Sequence, residues 1–96
     1  MSPEPVAVTC EPAAAGWTCR VVVGDPDDGR PTEHEVAVTR EDLARLAPGA
    51  AEPHDLVHRS FGFLLHREPK ESILRHFELP VIGRYFPEYE RAIRQA

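Results

Sequence analysis

The sequence predicts an α+β domain: a three-stranded antiparallel meander over residues 1–39, covered on one face by three to four short helices drawn from residues 40–96. Three observations predict it. Apolar residues alternate with polar ones in three stretches before Thr39. They recur at three- and four-residue spacing after it. Turn-forming residues separate the stretches. A chain of 96 residues has room for a single domain with a small core.

The strands come first. Val6, Val8 and Cys10 alternate with Ala7 and Thr9. Trp17, Cys19, Val21 and Val23 alternate with Thr18, Arg20 and Val22. His34, Val36 and Val38 alternate with Glu35 and Ala37. Side chains on an extended chain change sides at every step, so each set presents one apolar face. Glu11 to Gly16 is of hairpin length, and Gly24 to Pro31 is dense in turn residues. Such short links join antiparallel strands, whereas parallel ones need a long crossover.

At Thr39 the period changes. Thr39-Arg40-Glu41-Asp42 has the form of a capping box, with Asp in place of the preferred Glu or Gln. Leu43, Leu46 and Ala47 follow at helical spacing, and Pro48-Gly49 ends the helix. Pro53 fits the first turn of a second helix with a broad apolar face of Leu56, Val57, Ser60, Phe61, Leu64 and Leu65. Glu68-Pro69 stops it. Ile73, Leu74 and Phe77 predict a third helix. Val81, Ile82, Tyr85 and Phe86 predict a short one after Pro80, and Tyr89, Ala92 and Ile93 the last turns after Pro87.

Composition narrows the function classes. The net charge of −5 falls on residues 1–39, whereas acidic and basic residues balance over 40–96. An acidic first half repels phosphate, so nucleic acid is not the expected partner. No apolar run reaches the length of a membrane span. The acidic, proline-bearing start lacks the basic, apolar character of a secretory signal, so a cytoplasmic protein is expected. Arginine far outnumbers lysine, and Ala and Pro abound, a bias that suggests a GC-rich bacterial genome. Cys10 and Cys19 share the inner strand face. A disulfide between them is open, but the cytosol disfavours one, and a buried cysteine otherwise acts as a small hydrophobe.

His54 and His58 sit four apart on the second helix and form a weak metal pair, without the Glu that a zinc-protease helix places after its first His. Asp25, Asp27, Asp28 and Gly29 fail the spacing of a calcium loop. Ser60 lacks the preceding glycine of a nucleophile elbow. No catalytic residue and no cofactor is therefore expected.

Residues 69–90 could form a helix-turn-helix, with Arg75, His76 and Arg84 supplying charge, but Pro87 leaves its second helix short for reading DNA. The leading expectation is a non-enzymatic interaction module that binds a protein partner or a second copy of itself. Its interface would be Phe63, Tyr85, Phe86 and Tyr89, more aromatic surface than a small domain readily buries.

The stretch from Ser60 to Leu74, SFGFLLHREPKESIL, together with Tyr85-Phe86-Pro87-Glu88-Tyr89, resembles the C-terminal signature of a family of short uncharacterised bacterial proteins. The resemblance covers the last third to half of the chain. It implies no activity and no site residues, and marks this half as the more distinctive one.

Overall fold

The computed structural model describes residues 5–25 and 30–95. The turn reading at Asp27, Asp28 and Gly29 and the character of the first four residues lie outside this range.

The three expected strands form. β1 (Val6–Ala13), β2 (Gly16–Val23) and β3 (Thr32–Thr39) pair antiparallel in sequence order. The register aligns the apolar positions: Val8 faces Val21, and Val21 faces His34. The inner residues of β2 and β3 are buried, while Arg20, Glu33 and Glu35 on the other surface stay exposed. Arg20 and Glu33 are joined there by an ion pair. Gly16 allows the tight entry to β2, because a Cβ there would collide with the Val38 carbonyl oxygen.

Cys10 and Cys19 are direct register partners with Cα atoms 4.0 Å apart, and their sulfurs are bonded. The pairing that the sequence leaves open is thus made. Register brings it about: directly opposite residues in a non-hydrogen-bonded pair bring their side chains closest.

The helical half departs from expectation in one place. α1 (Arg40–Leu46) begins with a complete capping box. Asp42 N–H donates to Thr39 Oγ1 at 3.0 Å, and Thr39 N–H donates to Asp42 Oδ2 at 3.0 Å. α2 (His54–Leu65) buries Leu56, Val57, Ser60, Phe61 and Leu64 against the inner sheet face. The third helix expected around Ile73, Leu74 and Phe77 is absent. A single 3-10 turn (Lys70–Ser72) leads instead into a fourth strand, β4 (His76–Glu78), which pairs parallel to β3. The sheet is therefore mixed and four-stranded, and the meander is its antiparallel part.

Two interactions explain the switch. Glu35 N–H donates to the Arg75 carbonyl at 2.7 Å, and Phe77 faces Val36 on the inner surface. A helix here would have left the outer edge of β3 unpaired beside the core. The crossover through α1 and α2 supplies the length that a parallel pair requires. Beyond a second 3-10 turn (Leu79–Val81) come α3 (Ile82–Tyr85) and α4 (Tyr89–Gln95), as the prolines indicated. Among the described residues no helix is long and apolar enough to cross a membrane.

Candidate interaction groove

The loss of the third helix opens a concavity beside α2. Extended chain at Ile73 and Leu74 runs past the C-terminal end of α2, and α3 returns beside it. Between them lies a groove of about 300 Å³. Leu64, Ile73, Phe77 and Ile82 give it an apolar lining, and Glu68 and Ser72 add the polar groups. Leu74 and Tyr85 line it as well while remaining 45% and 65% exposed. They are the large hydrophobic side chains left exposed among the described residues.

A buried histidine fixes one wall. His34 is 2% exposed, its Nδ1 lies 2.8 Å from the Leu74 carbonyl oxygen, and its Nε2 lies 2.8 Å from Thr32 Oγ1. A carbonyl only accepts, so Nδ1 carries the proton and donates. In the neutral ring Nε2 then accepts from the threonine hydroxyl. Burial holds His34 below the ordinary histidine range, assisted by nearby Arg75, while the bond to Leu74 opposes the shift. The ring also meets Phe61, centroid to centroid at 5.3 Å, and Phe61 meets Phe77 at 6.1 Å. The groove thus rests on a packed line from β3 through α2 to β4.

The four aromatics expected at an interface separate into different roles. Tyr89 is 1% exposed and belongs to the core, which corrects its assignment to the surface. Ser60 Oγ donates its one proton to the Leu56 carbonyl at 2.7 Å, so the Tyr89 hydroxyl, 2.7 Å away, donates to Ser60. Burial pushes the Tyr89 phenol up to about 12. Ser60 therefore positions α4 on α2.

Phe63 is half-buried, edge-on to Phe86 at 5.9 Å and to Tyr89 at 5.3 Å. Arg67 lies over its face, 3.5 Å from the ring centroid. Phe86 also lines the groove. Of the four, Tyr85 alone is open to solvent, and Leu74 stands beside it. Leu74 went unnoticed in the sequence because a helix was expected to bury it.

The remaining candidates stand apart. His54 and His58 are both exposed, and His54 is bonded to Asp55 at 3.3 Å. Among the described residues no three His, Cys, Asp or Glu side chains converge on a common point. The alternative of a helix-turn-helix over residues 69–90 lacks its first helix, since that segment is a 3-10 turn, irregular chain and β4. Arg75, His76 and Arg84 are exposed but are not borne on a paired-helix unit.

The architecture defines the class: a small α+β domain with helices layered on one face of a mixed sheet. Comparison of the chain with family models, with curated proteins and with solved structures returned no match.

Proposed function

We propose that this chain is a non-enzymatic protein-interaction module whose groove takes an apolar side chain of a protein partner. One observation carries the reading: Leu74 and Tyr85, the large apolar side chains left in water among the described residues, both line an open apolar groove. Exposed apolar surface beside a preformed groove is a feature of binding sites rather than of inert surface. The stretches that carry the family resemblance, Ser60–Leu74 and Tyr85–Tyr89, supply most of the groove lining.

The cytoplasmic reading rests on the first residues of the sequence, and the Cys10–Cys19 bond weighs against it, because reducing compartments keep thiols free. A thiol count on freshly isolated protein decides between the two.

Selection of random displayed peptides on the wild-type chain tests the interaction reading. Enriched peptides are expected to share an apolar anchor and to bind Tyr85→Ala or Leu74→Ala at least about tenfold more weakly, the size expected for a well-seated anchor. Both positions are exposed, so the fold should tolerate the changes. Enriched peptides that bind the variants as tightly as the wild type, or no enrichment, would overturn the proposal.

A further inference from the structure

We propose that β1 is a pairing edge and that its occupant is β1 of a second copy of this chain. Among the described residues β1 has β2 on one side only. Two facts establish which of its backbone groups face outward. Gly24 N–H donates to the Pro5 carbonyl at 2.9 Å, so Pro5 and Gly24 form a hydrogen-bonded pair in the ladder. Bonded and non-bonded pairs alternate along antiparallel strands. Ala7, Thr9 and Glu11 therefore bond β2, while Val6, Val8 and Cys10 turn their N–H and C=O groups away from it. The 4.0 Å separation of the Cys10 and Cys19 Cα atoms is the close spacing of a non-bonded pair and gives the same phase. Three alternate residues thus offer a row of unpaired donors and acceptors.

The strand is complementary to itself. An antiparallel second β1 centred on Val8 sets Val8 opposite Val8, and Val6 opposite Cys10 of the second copy. Every outward group on these residues then finds a partner. The apolar side chains of Val6, Val8 and Cys10 are half-buried under the helical layer, and each would cover its counterpart. On the other surface Ala7 meets Thr9. Glu11, the one charged residue of β1, falls opposite Pro5 rather than its own copy, so no like charges oppose each other.

Two neighbouring registers do worse. A slip of one residue turns the valines to the wrong surface. A slip of two toward the C-terminal end sets Pro12, which has no N–H, opposite Val6 and leaves the Val6 carbonyl without a donor. Of the devices that keep edges apart, Val6 to Glu11 has no lysine, inward charge or bulge, and the strand's proline, Pro12, lies near its end beyond the paired valines. The Cys10–Cys19 bond holds the edge strand to β2. The product is a continuous eight-stranded sheet with both helical layers on one face and both grooves free. This pairing does not depend on the groove reading.

Sedimentation and hydrogen exchange on the full chain test it together. The wild type is expected to dimerise, with the amides of Val6, Val8 and Cys10 protected as strongly as those of Ala7 and Thr9. Val8→Lys places two ammonium groups face to face across the two-fold axis, and it should weaken the dimer at least tenfold and return those amides to fast exchange. The wild-type exchange pattern decides the matter even if that variant folds poorly. A wild type that stays monomeric at every concentration, or a dimer whose Val6, Val8 and Cys10 amides exchange freely, would overturn the proposal. So would a dimer abolished by Tyr85→Ala.

Discussion

The β1–β3 sheet and the segment from Pro69 to Glu90 are held in opposite ways. The sheet is a continuous ladder, and any one of its bonds is backed by the next. The later segment contains two 3-10 turns, a three-residue strand and a four-residue helix, none long enough to stand alone. It is pinned by particular side chains: Phe61 from α2, His34 from β3 and, near its end, Ser60 on Tyr89. A ladder spreads the effect of a change, whereas a pin concentrates it. Short irregular chain held by pins can be shaped into a groove lined by its own apolar side chains.

The largest effect should come from the pin common to both regions. Phe61 is 0% exposed and touches both His34 and Phe77. Phe61→Ala is expected to cost about 3–5 kcal/mol, the range for emptying a large buried aromatic site. Chemical denaturation would measure it. A loss below about 1 kcal/mol would show that the groove region is not pinned as described.

Next comes the sheet's own covalent tie. Reducing the Cys10–Cys19 bond releases a closed loop of sequence separation 9, worth about 2–3 kcal/mol by loop entropy. Thermal melting with and without reductant should differ by roughly 10 °C for a domain of this size. The Cys10→Ala/Cys19→Ala variant should melt identically in both conditions.

His34 links the two regions and adds a pH dependence. His34→Leu strands the Leu74 carbonyl and the Thr32 hydroxyl, at a cost of about 1–3 kcal/mol. The folded protein holds the ring below its ordinary 6.5, so the unfolded chain binds a proton more readily. The contribution is present above pH 6.5 and is lost as the pH falls through the lower folded value. Wild-type stability should decline on acidification, with a component that His34→Leu lacks. Equal acid slopes for the two proteins would remove His34 from this role.

The same contrast governs what could be read from the sequence. Alternation and helical spacing are local signals, and they located β1 to β3, α1 with its capping box, α2 and the last two helices. Ile73, Leu74 and Phe77 have helical spacing too, yet their conformation is decided by the unpaired edge of β3 some 40 residues earlier, as the bond between His34 and Leu74 shows. Half of the candidate site follows from that distant contact. Tyr85 and Phe86 were found by composition, while Leu74 could be exposed only once the helix was lost. Tyr89 looked like surface because its partner, Ser60, is 29 residues away.

That last pair gives the smallest effect and the finest test. Tyr89→Phe keeps the ring against Phe63 and removes only the hydroxyl donated to Ser60. Ser60 keeps its own bond to the Leu56 carbonyl, so no buried donor is stranded and the cost should be near 1 kcal/mol. The pH profile is more telling than the size. Burial raises the phenol from 10.0 to about 12, so the folded state resists ionisation that the unfolded chain accepts. Stability tied to Tyr89 is complete below pH 10 and is lost as the pH climbs toward about 12. Tyr89→Phe should lack that alkaline loss, and the difference in phenolate absorbance between wild type and variant should rise only near the upper value. A difference that instead rises near pH 10 would place Tyr89 back at the surface, where its sequence neighbours had first suggested it belonged.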